Sequence, residues 1–247
     1  MATAATRTDA PRYTILGQEV RLPVVVRDAS SGAATYFAST NAVRRLLAGT
    51  GLEPAEVLPG RALVSLAGIE YRDNDLGRYL EISIAFFVRL ARFARMRNWA
   101  DFFRGKLPTY IHRLPVDGEF TCEAGRTIWG FPKTVEDLRM ERTGDVVRFD
   151  WKREGRLVLG LRYRSGGRRT LPDAEMLTYS RIGGRLHRTR FRSGGEGVRF
   201  VPFGASYTLG TGPVAEELRS LGLSRRPFLG MWIERMHGSF DAPEPVA

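Results

Sequence analysis

The sequence predicts a mainly β, α+β fold, and three observations support this prediction. Four runs rich in Val, Ile, Leu, Phe and Tyr, punctuated by Gly, Asp and Asn, occupy residues 21–28, 61–73, 79–89 and 145–165. Segments with helical periodicity are fewer. At 247 residues, with 43% hydrophobic and 26% charged side chains, the chain is long enough to bury a substantial core.

Later strands are indicated by turns and by alternation. Residues 145–165 predict a hairpin that turns at Glu154-Gly155, and the glycine pairs at 166–167, 183–184 and 194–195 also indicate turns. In residues 180–200, the densest basic stretch, Leu186, Arg188, Arg190 and Arg192 alternate with His187, Thr189 and Phe191. This period of two predicts a strand with a solvated cationic face.

Three segments are candidate helices. Residues 40–49 begin at a possible cap, Thr40 or Asn41, and residues 212–222 end at Gly222. Residues 89–105 are the third candidate, with a basic face formed by arginines at 89, 92, 95 and 97. We expect a flexible N-terminus at residues 1–10, one domain at 11–240 and a flexible tail at 241–247.

Charge and cysteine content limit the function classes. The formal charge of +11 comes almost wholly from arginine, so nucleic acid must be considered as a partner. The sequence lacks a recognition helix, zinc-ligand spacing or an aromatic RNA-binding signature, which favours a solvated basic face. The single cysteine, Cys122, excludes an internal disulfide and is expected to be a buried small side chain rather than a reactive thiol.

No apolar run reaches the roughly 20 residues of a membrane span, and the first residues lack a signal peptide's apolar segment. We therefore expect a cytoplasmic protein. The nucleophile elbow, the P-loop, the dinucleotide-binding glycines and the His-Glu-x-x-His pair are all missing. Neither a metal nor a cofactor is predicted, because His112, His187 and His237 are not spaced as ligand pairs.

One lysine follows an apolar run in "TIWGFPKTVE", residues 127–136. Lys133, flanked by Trp129, Phe131 and Pro132, is a candidate nucleophile because desolvation lowers the pKa of an amine and frees it to attack a carbonyl. The alternative is a lysine at a loop edge whose stem packs on aromatic rings while its ammonium stays in water.

Residues 110–133, "YIHRLPVDGEFTCEAGRTIWGFPK", resemble a segment of the acetoacetate decarboxylase family. That segment reads Tyr-x-His, then an Asp, then Gly-Arg-x-x-x-Gly/Ala-Tyr/Phe-Pro-Lys. Residues 75–88, "DLGRYLEISIAFFV", resemble the family's glycine, tyrosine and glutamate segment, with Glu81 in the glutamate position. The resemblance is strongest between Arg61 and Val135, and it extends more weakly to residues 22–28, 40–47 and 204–223.

The resemblance implies a β-rich cone or barrel with a buried cavity and a few flanking helices, assembled into homo-oligomers. It also implies that Lys133 forms a Schiff base with a small keto acid or related carbonyl substrate and that Glu81 is an active-site carboxylate. The alternative for Glu81 is a strand carboxylate paired with an arginine. Three roles are open for Arg126: it pairs with the Glu81 carboxylate, it binds a carboxylate of the substrate, or it is structural. Arg27 is the candidate for the family's N-terminal substrate arginine, and Trp129, Phe131 and Thr134 are further expected substrate contacts.

Two departures from the family pattern concern the chemistry. The family's second lysine, which depresses the pKa of the first, is replaced by Thr134; acetoacetate decarboxylase is itself the standard example of this activation. The family's second glutamate corresponds to Ser65-Leu66, so this chain has no carboxylate at that position. Glu70 is the nearest carboxylate in the segment. Three functions remain open on sequence alone. They are a Schiff-base lyase acting by decarboxylation, aldol or dehydration chemistry, a non-catalytic small-ligand binder, and a nucleic-acid-binding protein.

Overall fold

A computed structural model of the protein describes residues 10–93 and 98–246. The strands within these ranges, numbered in chain order, are β1 Arg12–Ile15, β2 Gln18–Arg21, β3 Val24–Ser39, β4 Leu52–Pro54, β5 Glu56–Leu58, β6 Arg61–Asn74, β7 Tyr79–Leu90, β8 Thr109–Val116, β9 Lys133–Val135, β10 Asp137–Thr143, β11 Val146–Arg153, β12 Arg156–Arg164, β13 Arg169–Ile182, β14 Arg185–Phe200, β15 Ser206–Leu209, β16 Leu229–Phe240 and β17 Glu244–Pro245. The helices are α1 Thr40–Leu46, α2 Asn98–Phe103, α3 Glu119–Trp129 and α4 Pro213–Ser220.

Seven strands form a closed barrel, which confirms the mainly β prediction. Their order is β7-β6-β3-β16-β14-β13-β8, and β8 closes the barrel by pairing with β7. Most pairings are antiparallel, but β8 runs parallel to β13 at one end and to β9 at the other. The short strand β9 therefore extends the barrel wall beside β8.

A second sheet, β10-β11-β12-β15, packs on the barrel through two glycines. Gly32 on β3 and Gly68 on β6 are paired in register. A Cβ atom at Gly32 would lie 2.5 Å from the Tyr163 ring, and one at Gly68 would lie 2.6 Å from the Phe149 ring. The missing side chains thus make room for two aromatic rings of the second sheet. The Tyr163 hydroxyl also donates a hydrogen bond to the Leu66 carbonyl oxygen at 3.0 Å.

The predicted hairpin is confirmed, because Glu154 and Gly155 both have positive φ and connect β11 to β12. The predicted turn at Gly194-Gly195 is wrong, since both residues lie inside β14. A Cβ atom would lie 2.3 Å from Asp173 Oδ1 at Gly194 and 2.5 Å from Ile233 at Gly195. Glycine is needed there for close packing and not for a turn.

Two helix predictions need correction. The cap of α1 is Ser39, whose hydroxyl accepts a hydrogen bond from the Ala42 amide, so neither Thr40 nor Asn41 is the cap. Within the described part of the predicted helix at 89–105, Ala91–Phe93 is a 3₁₀ helix and α2 is the one α-helix, because β7 continues to Leu90 by pairing with β4. Arg95 and Arg97 lie outside the described residues. The end of α4 is as predicted, with Gly222 at positive φ.

The tail predicted to be flexible forms a strand in its described part. Glu244–Pro245 pairs with β14, and Glu244 Oε1 lies 2.6 Å from Arg190 Nη1. Arg188 also binds Glu244, and Arg192 lies 3.2 Å from Asp241. The two carboxylates therefore neutralise part of the positive charge on β14 and fix the tail against that strand. The N-terminal prediction falls on residues 1–9, which lie outside the described residues, and on residue 10, which is exposed.

Across residues 10–93 and 98–246, no helix has both the length and the apolar character required to cross a membrane.

Candidate active site

Lys133 and Glu81 meet in the barrel because their strands flank β8. Lys133 is paired in register with Leu114, and Glu81 is paired with Val116 two positions further along. The Lys133 Nζ atom lies 2.9 Å from Glu81 Oε2. The two residues are only 5% and 7% exposed, so this is a buried pair of opposite charges. The structure brings together the two residues predicted to be catalytic.

Two glycines explain how the lysine reaches this position. Gly125 lies on α3 against the lysine stem, and a Cβ atom there would lie 2.5 Å from Lys133 Cδ. Gly130 ends α3 with φ of 65°, in the left-handed region that favours glycine. A Cβ atom at Gly130 would lie 2.3 Å from the Arg181 carbonyl oxygen. One glycine of the Gly-Arg-x-x-x-Gly-Phe-Pro-Lys string admits the lysine, and the other turns the chain from α3 into β9.

Three hydroxyl groups surround the buried pair. Lys133 Nζ donates a hydrogen bond to Thr121 Oγ1 at 2.9 Å and lies 4.8 Å from the centroid of the Tyr79 ring. The Tyr71 hydroxyl donates to Glu81 Oε1 at 3.4 Å. The rings of Tyr71 and Tyr79 stack with centroids 4.4 Å apart. The amine and the carboxylate are therefore both held by neighbouring polar groups.

The ion pair determines the charge state of the amine. Burial lowers the pKa of Lys133, but the Glu81 carboxylate and the Tyr79 phenol raise it, and the net direction is upward. The sequence predicted a lowered pKa from aromatic neighbours alone, and this was wrong because a carboxylate faces the amine. Burial, and then the Glu81 charge, raises the pKa of Tyr71, and burial also raises the pKa of Tyr79. Both phenols therefore keep their protons and remain hydrogen-bond donors.

A cavity opens beside the pair. The space open to the centre of a water molecule is about 40 Å³, several times the ~10–15 Å³ that one water requires. Its polar lining consists of Lys133, Glu81, Tyr71, Tyr79 and Asn74. The apolar lining consists of Val24, Val26, Leu76, Ile111, Leu114, Trp129, Phe131 and Phe240. A mostly apolar cavity with a few convergent polar groups is typical of a small-molecule site.

Two predicted substrate contacts line this cavity and three do not. Trp129 and Phe131 form part of the wall. Arg27 is exposed on the outer face of β3 and binds Asp73 and Asp75, because strand residues alternate and Val26 faces inward. Thr134 follows Lys133 on β9 and is exposed for the same reason. Arg126 is exposed on the outer side of α3.

Sequence reasoning missed three hydroxyl-bearing residues that contact the pair, namely Tyr79, Thr121 and Tyr71. Tyr79 lies two positions before Glu81 on one strand, so period-two alternation puts both side chains on one face. Thr121 and Gly125 are one turn apart on α3, a helix that the sequence prediction omitted. Its buried positions 121, 124, 125 and 128 have helical spacing. Tyr71 depends on the register between β6 and β7, which no local pattern reveals.

The position of the missing second glutamate holds no carboxylate. Leu66 is fully buried in the core, and Glu70 accepts hydrogen bonds from Ser30 and Arg72. In this chain the Tyr71 hydroxyl contacts Glu81 instead.

In the part of the chain that the structure describes, no group of three His, Cys, Asp or Glu side chains is arranged to hold a metal ion. The three histidines have other partners: His112 contacts Glu217, His187 contacts the Arg185 carbonyl oxygen, and His237 contacts Asp173. Cys122 is buried, as predicted.

Comparison with known proteins identifies a family. A family model described as acetoacetate decarboxylase (ADC) matches residues 16–238, which is most of the chain. A search of curated protein sequences finds no match.

Solved structures share the fold at low sequence identity. An acetoacetate decarboxylase from Legionella pneumophila subsp. pneumophila str. Philadelphia 1 has a TM-score of 0.69 and 15% identity, covering 100% of this chain and 92% of that one. An acetoacetate decarboxylase-like enzyme from Sphingomonas wittichii RW1 has a TM-score of 0.59 and 14% identity, covering 100% of both chains. The enduracididine biosynthesis enzyme MppR, complexed with the condensation product of pyruvate and imidazole 4-carboxaldehyde, has a TM-score of 0.58 and 13% identity over 98% of both chains.

Proposed function

The chain belongs to the acetoacetate decarboxylase family, and from that premise we propose that it is a lyase whose Lys133 forms a Schiff base with a small carbonyl compound. One observation carries this proposal. The Lys133 amine is buried 2.9 Å from the Glu81 carboxylate, in a small and mostly apolar cavity. The chain contains three lysines; of the other two, Lys106 is exposed and Lys152 is half-buried. Lys133 is thus set apart from the other amines by its surroundings.

The first step is the release of the amine from its ion pair. The amine rests as an ammonium because Glu81 and Tyr79 together raise its pKa more than burial lowers it. A substrate that fills the cavity excludes water, and a drier cavity disfavours two separate charges. The proton then moves along the 2.9 Å hydrogen bond to Glu81, and the neutral amine attacks the substrate carbonyl.

The second step uses the iminium as an electron sink. Loss of water from the carbinolamine leaves a cationic iminium, and breaking a bond at the neighbouring carbon sends an electron pair into it as an enamine. Where bond breaking gives Glu81 a proton, as in aldol-type cleavage, Glu81 returns that proton to the enamine carbon; after loss of carbon dioxide the proton comes from water. Water then hydrolyses the iminium. The protonated Tyr71 and Tyr79 hydroxyls are donors for the oxygen of the carbinolamine.

The bond that breaks distinguishes reactions within this class. Loss of carbon dioxide from a β-keto acid is one, and aldol-type cleavage or dehydration uses the same iminium. MppR, with the same fold, binds a condensation product of pyruvate and an aldehyde. That neighbour supports a proposal broader than decarboxylation.

Exchange of the α-protons of a simple ketone tests this function without knowledge of the natural substrate. In D₂O the wild-type protein should exchange the methyl protons of acetone through the enamine, followed by proton NMR. Lys133→Ala should abolish the catalysed exchange, and Glu81→Gln should slow it roughly 10²-fold, the usual scale of a lost proton-transfer group. Lys152→Ala is the matched control and should leave the rate unchanged. Exchange that survives Lys133→Ala, or no exchange by the wild type, would overturn the proposal.

A further inference from the structure

We infer that the site takes an uncharged carbonyl compound in preference to a keto acid. This inference rests on the proposed function and names the substrate class of the same cavity. Its basis is the balance of buried charge around Lys133. Of the described residues that line the cavity, Lys133 is the one cation and Glu81 the one carboxylate, and each already neutralises the other.

A substrate carboxylate would find no second cation in this lining. The chain has 38 Lys and Arg residues, yet the arginine expected to bind substrate is on the outer face. The Arg27 side chain is 48% exposed and donates hydrogen bonds to Asp73 and Asp75. Arg126 and Thr134 are also exposed. The basic excess of the chain therefore does not extend into the described wall of the cavity.

An uncharged substrate keeps the buried charge at zero through a complete cycle. With a β-hydroxyketone, the ammonium of Lys133 is replaced by an iminium as water leaves, while Glu81 stays anionic. Glu81 then takes the hydroxyl proton, the carbon–carbon bond breaks to release an aldehyde, and its electron pair forms the enamine. Both groups are now neutral. The proton goes from Glu81 to the enamine carbon, and water releases the ketone and restores the ammonium.

A keto acid would leave one negative charge uncompensated in the same cavity. The iminium, Glu81 and the substrate carboxylate would together carry a net charge of −1. Loss of carbon dioxide would leave a neutral enamine beside an anionic Glu81, so the enamine would need a proton from outside the pair. Burying an unpaired carboxylate is strongly unfavourable. The wall offers Val24, Val26 and Leu76 rather than a compensating cation.

A pair of probes of matched size tests the inference. Acetoacetate and acetoacetamide have the same number of non-hydrogen atoms, and only the first carries a charge at neutral pH. Each is incubated with the wild-type protein at equal, subsaturating concentration, borohydride is added, and all adducts on Lys133 are counted by peptide mass. The rate of adduct formation on Lys133 with each probe is divided by the rate of the same probe with Nα-acetyl-lysine, which corrects for the intrinsic reactivity of the probe. We expect acetoacetamide to react faster by at least about tenfold.

The second part of the experiment adds a positive charge to the cavity wall. Leu76 lines the cavity and is 8% exposed, whereas Val135, two residues beyond Lys133, is 50% exposed. Leu76→Arg should move the preference toward acetoacetate by at least about tenfold, and Val135→Arg should not. Equal or faster reaction of acetoacetate with the wild type would overturn the inference and leave the proposed function intact. An absence of Lys133 adducts with both probes would overturn the proposed function and the inference with it.

Discussion

Lys133 carries the proposed chemistry, and the charge state of its amine depends on the carboxylate that faces it. Trp129 and Phe131 are buried and line the cavity that holds the amine, and Lys133 itself is only 5% exposed. The Glu81 carboxylate and the Tyr79 phenol have the opposite effect to burial on the amine's pKa, and together they outweigh it. The isolated lysine of the sequence is therefore not isolated in space, and its reactivity depends on passing its proton to Glu81.

Removal of the carboxylate should reverse the direction of the pKa shift. In Glu81→Gln the Coulombic attraction is lost and burial remains, so the pKa of Lys133 should fall below the ordinary lysine value. With lysines at only three positions, a ¹³Cε-lysine NMR titration can resolve the signals, and Lys106 and Lys152 act as internal references. An unchanged Lys133 titration in the variant would show that Glu81 does not control the amine.

Gly125 is expected to govern the position of the lysine rather than the stability of the fold. In Gly125→Ala the new methyl group would meet the flexible lysine stem, 2.5 Å from Cδ. The stem can move, so the protein should fold, and alanine favours the helix by about 1 kcal/mol. Displacement of the amine should slow acetone exchange by about 10²-fold. Thr127→Ala, on the exposed face of α3, should retain full exchange, and equal rates in both variants would refute the role assigned to Gly125.

At the scale of elements, strands were predictable and α3 was not. The bounds of β6 and β7 follow from their long apolar runs, and the Glu154-Gly155 turn follows from its residues. The segment that forms α3 contains Gly125 and ends in the Trp-Gly-Phe-Pro run, which masks its helical spacing. Gly130, the second glycine of the motif, ends α3 where that helix packs against Arg181 on β13, and no local sequence pattern indicates this contact between distant segments.

Substitutions at two glycines in the left-handed region, Gly130 and Gly144, distinguish the energetic cost of backbone strain from that of steric crowding. Gly130 has φ of 65° and Gly144 has φ of 58°, so alanine at either position costs about 1–3 kcal/mol in strain. A Cβ atom at Gly130 would also lie 2.3 Å from the Arg181 carbonyl oxygen, while one at Gly144 would meet no atom within 4 Å. Gly130→Ala should therefore lower the free energy of unfolding by about 2 kcal/mol more than Gly144→Ala. Urea denaturation measures both, and similar losses would exclude crowding as the cause.

At the scale of the whole molecule, the site depends on contacts between distant segments. The cavity wall combines β3, β6, β7, β8, β9 and β16, which are spread over most of the chain. Sequence patterns predicted the residue types but not the register, so Glu81 was found by resemblance and Tyr71 was not found. Arg27 failed as a substrate contact because one position along a strand reverses the face. Assembly into homo-oligomers stays a prediction.

The distribution of charge leads to a prediction about salt. The net charge of +11 is carried on a surface where arginines such as Arg188, Arg190 and Arg192 are paired with carboxylates. Schiff-base chemistry in a buried cavity should change less than about twofold between 50 and 200 mM salt, because buried pairs are weakly screened. A protein that binds nucleic acid through 6–10 phosphates would lose roughly 10³–10⁵ in affinity over that range. Tight DNA or RNA binding with this salt dependence would support the nucleic-acid alternative instead.

The identity of the Schiff-base amine is best tested in a chain with one lysine. Lys106→Arg/Lys152→Arg removes the other two lysine amines and preserves their charge. Incubation with acetone and borohydride, followed by intact-mass measurement, should give one reduced adduct per chain at nearly the wild-type rate. The same experiment on Lys106→Arg/Lys152→Arg/Lys133→Arg should give only the slow background adduct of the N-terminal amine. Adduct formation at the single-lysine rate in this triple variant, or no adduct above that background in the single-lysine chain, would contradict the assignment of Lys133 as the Schiff-base amine.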